Sequence, residues 1–140
     1  MSLYELVHRP ELASPYLIVS MDGWIDAGLG GATAADVSRT SAGFEPVAEF
    51  DTDTLLDHRA RRPTMNLVNG VNVSLNWPSI TVHAGRDADG SEALFLFGSE
   101  PDHNWRAFTD AVLELVVDLG VAMVVGLGAY PAPAPHTRPT

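Results

Sequence analysis

Two aspartates lead into a glycine-rich turn that follows the first strongly apolar segment of the chain. Asp22 and Asp26 precede the turn Gly28-Leu29-Gly30-Gly31. Backbone N–H groups converge where such a turn opens a helix, so the turn is a candidate site for a phosphate or another small ligand. Both common phosphate fingerprints fail, because no G-K-[ST] follows and Thr33 replaces the third glycine of G-x-G-x-x-G. We therefore favour a tight turn, with Asp26 as the helix cap rather than as one of two paired carboxylates.

A second group of charged residues lies further along the chain. Three arginines, Arg59, Arg61 and Arg62, cluster beside three aspartates, Asp51, Asp53 and Asp57. Guanidinium groups could clamp a phosphate or a carboxylate. In so acidic a protein we favour the other interpretation, a solvated cluster of salt bridges.

The remaining chemistry-bearing residues form no complete catalytic set. The chain has no cysteine, and all eight of its basic residues are arginine, which excludes thiol chemistry and a lysine Schiff base. The histidines show no metal-binding spacing, and His103 and His136 are the two that could join a cleft. The sequence Asp87-Ala-Asp-Gly has the wrong spacing for a calcium loop. We predict no catalytic residues, no metal site and no cofactor.

The net charge of the chain limits the classes of partner that it can bind. Its 140 residues carry a net charge of −10, and its pI is about 4.6. Such a surface repels phosphate backbones and anionic lipids, so we expect neither a nucleic-acid nor a membrane partner. Residues 1–10 lack the apolar centre of a signal peptide, and no apolar stretch approaches bilayer length. A cytoplasmic location is expected.

The elements that must position these residues follow an α/β pattern. The apolar run 15–21 predicts a strand buried on both faces, residues 32–41 predict a helix that ends at Gly43, and 46–50 predict a second strand. Short β-branched segments follow at 64–68 and 72–75. Residues 79–84 and 92–97 predict a β-hairpin in the middle of the chain, joined by a turn at 85–90.

The last part of the chain predicts the clearest helix. Ser99-Glu100-Pro101-Asp102 has the form of a capping box, and apolar residues then recur at helical spacing from Trp105 to Leu119. A fully apolar strand follows at 121–126, and a proline-rich exit loop occupies 129–140. Together these elements predict one α/β domain over residues 1–140, a three-layer sandwich with a mostly parallel central sheet. Because a buried parallel strand needs neighbours, we expect a truncated chain, the N-terminal part of a longer domain, or a sheet completed by a swapped oligomer.

Four sequence strings resemble a known family. They are GWIDAG at 23–28, ARRP at 60–63, PDHNWRAF at 101–108 and GLGAYP at 126–131. In this order they are similar to the proteasome assembly chaperone 2 family, in particular its bacterial branch, from about residue 17 to the end of the chain. The resemblance implies a phosphorylase/hydrolase-like three-layer fold, a cytoplasmic homo-oligomer and, in some relatives, assembly of proteasome α-subunits. Chaperone relatives commonly dock through a hydrophobic-Tyr-any residue tail, which Arg138-Pro139-Thr140 does not match.

Two hypotheses follow from these observations. The first is a non-enzymatic, proteasome-assembly-chaperone-like interaction protein with an exposed aromatic patch and proteasome α-subunits as partners. The second is a nucleoside- or phosphate-handling enzyme of phosphorylase/hydrolase-like fold. The candidate ligand or interface residues are Asp22, Gly23, Trp24, Asp26, Gly28, Gly30, Gly31, Arg61, Arg62, His103 and Tyr130.

Overall fold

The computed structural model describes residues 2–87 and 89–137. It contains eight strands and three helices among those residues, with a 3-10 turn at Ala27–Leu29 before the first helix. The strands are β1 (Tyr4–Leu6), β2 (Tyr16–Asp22), β3 (Glu45–Phe50), β4 (Thr64–Val68), β5 (Val71–Asn76), β6 (Ile80–Arg86), β7 (Glu92–Ser99) and β8 (Met123–Gly126). The helices are α1 (Gly30–Ala42), α2 (Thr52–Leu55) and α3 (Trp105–Asp118).

Six strands form one open, mixed sheet in the order β1-β3-β6-β7-β2-β8. Strand β2 is parallel to both of its neighbours, β7 and β8. The other three pairings, β1–β3, β3–β6 and β6–β7, are antiparallel. The prediction of a mostly parallel sheet is therefore wrong. The short loop between β6 and β7 allows only an antiparallel return, whereas the apolar runs of these strands look alike in either pairing.

The two faces of the sheet are covered by different helices. Strand β7 is buried on both faces, with Leu94 and Leu96 in the cluster that includes α3 and with Phe95 and Phe97 in the cluster that includes Ala35 of α1. This alternation follows from the two-residue period of a strand. The result is a helix–sheet–helix arrangement of three layers, and the predicted hairpin in the middle of the chain is confirmed as β6 and β7. Residue 88 of its turn lies outside the described residues.

Helix α3 begins later than the sequence predicts. Its first residue is Trp105, and Asn104 stands at the cap in a left-handed conformation (φ 55°) without a side-chain capping bond. The capping box predicted at residues 99–102 is wrong, because the Asp102 carboxylate accepts hydrogen bonds from the backbone N–H of Asp57 and from Arg61 instead. Trp105, predicted on the apolar face, is half exposed. The helix ends at Asp118, and the predicted terminating glycine, Gly120 (φ 64°), follows its C-cap Leu119.

Strands β4 and β5 form a separate two-stranded hairpin, called the hairpin arm below (residues 64–76). Its turn is Asn69-Gly70, with positive φ at both residues (52° and 78°), as a type I′ turn requires. Apolar side chains of the arm that are 44–64% exposed are Met65, Leu67, Val68, Val71, Val73 and Leu75. The arm is therefore an uncovered apolar element outside the main sheet.

None of the helices that the described residues form has both the length and the apolarity needed to cross a lipid bilayer. After β8 the chain continues without a helix to residue 137, with one isolated bridge at Ala129. The last part of the predicted exit loop, residues 138–140, lies outside the described residues.

Candidate functional site

The carboxyl ends of β2 and β7 meet at one edge of the sheet, where Asp22 is paired in register with Ser99. The chain leaves β2 into α1 on one face of the sheet, and it leaves β7 into α3 on the other face. Adjacent parallel strands whose connections diverge in this way open a crevice at their carboxyl ends, which is the usual binding position in open α/β sheets. The fold thus places Asp22 and Gly23 beside the crevice.

Asp26 caps the helix that follows β2, as predicted. Its two carboxylate oxygens accept hydrogen bonds from the backbone N–H groups of Gly31 (2.7 Å) and Ala32 (2.8 Å). Its backbone oxygen accepts from the N–H of Leu29 (3.0 Å). These are donors that a phosphate at this turn would use. Such a phosphate would have to displace a half-buried carboxylate of the protein itself.

The glycines of this turn allow close contact with the loop after β8. The backbone N–H of Ala27 donates to the oxygen of Ala129 (2.9 Å). A Cβ on Gly30 would lie 3.2 Å from the Ala129 Cβ, and a Cβ on Gly31 would lie 3.3 Å from the Cα of Gly128. Gly28 has φ 63°, which favours glycine in the turn itself. The turn is tight, as predicted, and its close contacts are with the loop after β8.

Arg61 lies at the same edge and contacts residues that the sequence did not connect with it. Its Nε donates to Asp102 Oδ2 (3.0 Å), and both side chains are 25% exposed. The backbone N–H of Asp57 and then Arg61 lower the pKa of Asp102. A Cβ on Gly23 would lie 3.0 Å from Glu100 and 3.3 Å from Arg61 Nη2. Gly23 and Arg61 are therefore brought together, with Glu100 and Asp102 as partners that only the tertiary structure shows.

The other charged residues of this loop form local pairs. Arg59 contacts Asp57 (3.0 Å), and mainly the hydrogen bonds from Arg59 lower the pKa of Asp57 to about 2. His58 Nε2 contacts Asp53 (2.9 Å). The predicted salt-bridge cluster is confirmed for Arg59. Arg62 is exposed and has no ion pair within the described part of the chain.

His103 does not enter the crevice as a positioned acid or base. It is an exposed residue of the loop before α3, and its backbone N–H donates to the oxygen of Leu55 (3.0 Å). No group of three or more histidine, aspartate or glutamate side chains within residues 2–87 and 89–137 is arranged to hold a metal ion.

Large apolar side chains on the two joined loops point into solvent. Trp24 is 77% exposed and Leu29 66%, both between β2 and α1, and Ile25 beside Trp24 is 49% exposed. Tyr130, which follows β8, is 76% exposed. We call these four residues the aromatic rim. The exposure of Trp24 and Tyr130 is what the interaction hypothesis expects.

Comparison with known proteins identifies a family and several similar structures. A family model described as the PAC2 family matches residues 20–140. A comparison with curated proteins gives no match. A protein of unknown function from Corynebacterium glutamicum is 34% identical, with a TM-score of 0.89 over 99% of this chain and 54% of that chain.

Two further solved structures are similar at comparable identity. A proteasome-assembly chaperone homologue of Mycobacterium tuberculosis is 32% identical, with a TM-score of 0.70 over 89% of this chain and 53% of that chain. A structure described with the same family name, from Streptomyces avermitilis MA, is 31% identical, with a TM-score of 0.74 over 90% of this chain and 54% of that chain. The chain thus spans about half the length of the structures it matches.

Proposed function

Because this chain belongs to the PAC2 family, we propose that it is a non-enzymatic, chaperone-like interaction protein that binds proteasome α-subunits through the aromatic rim. The observation that carries the proposal is the exposure of Trp24 and Tyr130 on two loops that backbone hydrogen bonds hold together. The relative from Mycobacterium tuberculosis, described as a proteasome-assembly chaperone homologue, supplies the class of partner.

The rim has the physical properties of a docking surface. Tryptophan and tyrosine are the side chains that most often dominate the energy of protein interfaces. The Asp26 cap and the bond from Ala27 to Ala129 fix the loops that present them. A surface ordered before binding loses less conformational entropy when a partner docks, so more of the contact energy appears as affinity.

The alternative function, a nucleoside- or phosphate-handling enzyme, is not supported, because the groups that suggested it bond to other parts of the protein. The helix N-terminus after the glycine turn is occupied by Asp26. Arg61, the best placed arginine of the proposed clamp, is paired with Asp102. Both groups hold the protein's own charges, and neither is left to bind a substrate phosphate.

The proposal includes self-association and a cytoplasmic location. The uncovered hairpin arm is a second apolar surface that another copy of the chain could cover, which supports a homo-oligomer. A partnership with proteasome subunits implies that the protein works in the cytoplasm, where such subunits assemble.

The test is native mass spectrometry of the protein alone and mixed with proteasome α-subunits from the same source. We expect a defined mixed complex, weakened about 30-fold or more by Trp24→Ala or by Tyr130→Ala alone and further by the two combined, because each interface hot spot contributes about 2 kcal/mol or more. The control is Trp105→Ala, which removes a half-exposed indole outside the rim.

Two results would contradict the proposal. A homo-oligomer that ignores the α-subunits would remove the chaperone-like role for this chain. A mixed complex that survives the rim variant unchanged would place the interface elsewhere. Self-association is tested separately with Leu67→Ser and Val73→Ser on the hairpin arm, which should shift the mass distribution toward monomer.

A further inference from the structure

A cavity of about 330 Å³ opens at the carboxyl ends of β2 and β7, on the face of the sheet that α1 covers. The strands supply Ser20, Thr81, Phe97 and Ser99 to its lining, and α1 supplies Asp36 and Arg39. Trp77, between β5 and β6, forms a further wall. Its volume is at the lower end of ligand pockets, which begin at roughly 300 Å³, and suits a ligand of one small ring.

The side chains of the strands change from apolar to hydroxyl-bearing where the strands reach this cavity. On the face that α1 covers, β2 carries Tyr16 and Ile18 in the apolar cluster, and the next position of the same face is Ser20. Strand β6 contributes Thr81, and β7 ends in Ser99. All three hydroxyl side chains are partly exposed at the cavity, where they can bond to a ligand or to water.

These hydroxyls are not used by side-chain hydrogen bonds among the residues that the structure describes. Within the described part of the chain, no hydrogen bond joins the side chain of Ser20, Thr81 or Ser99 to another residue. Each can both donate and accept a hydrogen bond. The cavity therefore offers several paired donor and acceptor positions to whatever occupies it.

The charges around the cavity select against an anionic ligand. Asp22 and Asp36 line it together with one cation, Arg39. The guanidinium of Arg39 lies over the Phe97 ring, 5.2 Å from its centroid, and no ion pair joins it to a carboxylate among the described residues. The sum of these charges is negative, on a chain whose net charge is −10. A phosphate group would be repelled, whereas the hydroxyls of a neutral ligand could donate to the carboxylates and accept from Arg39.

The indole ring of Trp77 forms an aromatic wall of the cavity. Trp77 is 56% exposed, and its ring is held edge-on against His58 with centroids 5.1 Å apart. His58 is in turn held by Asp53 (2.9 Å). An indole face provides a flat apolar surface for the C–H face of a sugar ring, while the polar groups around it engage the hydroxyls.

We propose that this cavity binds a neutral, polyhydroxylated ligand, a pentose or hexose ring. Asp22 and Asp36 accept hydrogen bonds from ring hydroxyls, Ser20, Thr81 and Ser99 complete the polar contacts, and Trp77 covers the apolar face. The site is separate from the aromatic rim and does not depend on any interaction with proteasome subunits.

The test is isothermal titration calorimetry of the protein with D-ribose and D-glucose, and with D-ribose 5-phosphate and D-glucose 6-phosphate. We expect at least one neutral sugar to bind with a Kd of about 1–10 mM or tighter, and its phosphate ester to bind more weakly. Thr81→Val keeps the shape of the side chain and removes one hydroxyl, so it should weaken binding about fivefold. Asp22→Asn should also weaken it, and Thr64→Val on the hairpin arm is the matched control.

Three results would overturn the proposal. The first is no heat of binding from either neutral sugar at these concentrations. The second is tighter binding of the phosphate esters, which would show that an anion site governs the cavity. The third is unchanged affinity in both Thr81→Val and Asp22→Asn, with circular dichroism confirming that the variants are folded.

Discussion

Replacing Asp26 with alanine tests the cap that orders the loop of the aromatic rim. The carboxylate bonds the N–H groups of Gly31 and Ala32 at 2.7 and 2.8 Å. Loss of a capping side chain costs about 1 kcal/mol, and loss of a negative charge at a helix N-terminus costs about 0.5 kcal/mol more. We therefore expect Asp26→Ala to lower the free energy of unfolding by about 1.5 kcal/mol, measured by urea denaturation followed by circular dichroism.

The same variant should create the anion site that the native chain lacks. With Asp26 gone, two N–H donors face the space that its carboxylate filled, and phosphate can occupy it. If the variant binds phosphate with a Kd of about 10 mM, then 100 mM phosphate restores about 1.4 kcal/mol by linkage. Sodium chloride at matched ionic strength should restore none of it, and the native protein should respond equally to both salts.

The matched control is Asp36→Ala, which removes an exposed carboxylate of the same helix that makes no capping bond. It should change the free energy of unfolding by less than about 0.5 kcal/mol. The reasoning is refuted if Asp26→Ala costs no more than Asp36→Ala. It is also refuted if phosphate stabilises the native protein and the Asp26 variant to the same extent.

Three further predictions concern Gly98, His83 and Asp102. A Cβ on Gly98 (φ 143°) would lie 2.3 Å from the Ser79 oxygen, so Gly98→Ala should lower the free energy of unfolding by more than about 3 kcal/mol. The control is Gly43→Ala (φ 59°), which meets no described atom within 4 Å and should lower it by about 1 kcal/mol. Equal urea midpoints for the two variants would contradict this prediction. Burial, and then Arg39, lower the pKa of His83, so the unfolded chain binds the extra proton first and stability falls as the pH drops below about 6.5. His83→Leu should flatten that slope in pH-dependent thermal melts, and an unchanged slope would sink the argument. Asp102→Asn should cost about 1 kcal/mol at pH 7, and because the pKa of Asp102 is lowered, the difference from the native protein should shrink as the pH falls through the acid range.

Local patterns predicted most elements of this fold. The β-branched segment 64–68 is strand β4, and the apolar runs at 46–50 and 92–97 lie within β3 and β7. The sequence could not show how these strands pair, because a buried apolar run is compatible with parallel and antiparallel neighbours alike. The predicted parallel majority failed for that reason.

The start of α3 shows a second limit of local reasoning. Ser99-Glu100-Pro101-Asp102 has the spacing of a capping box, yet the Asp102 carboxylate bonds to groups 41 and 45 residues away, Arg61 and Asp57. The carboxylate bonds to these partners rather than capping the helix, and the helix begins at Trp105 instead. A short motif cannot reveal such a competition.

In the candidate site, too, some residues could be predicted from the sequence and others could not. Asp26 could be recognised as a cap because its partners are five and six residues ahead. The cavity beside Trp77 could not be foreseen, because Ser20, Thr81 and Ser99 come together only through the register of three strands. Each of these hydroxyls is unremarkable at its own place in the sequence.

The hairpin arm has a consequence for the colloidal behaviour of the protein. The arm (residues 64–76) contains no acidic or basic residue, although the chain as a whole carries −10. At neutral pH, long-range repulsion keeps molecules far enough apart that their arms rarely meet. As the pH approaches the pI of about 4.6 that repulsion vanishes, and the apolar arms become the points at which molecules first adhere. A solubility minimum should therefore lie close to that pH, and Leu67→Lys on the arm should make it shallower than the same charge placed at Val117 on α3.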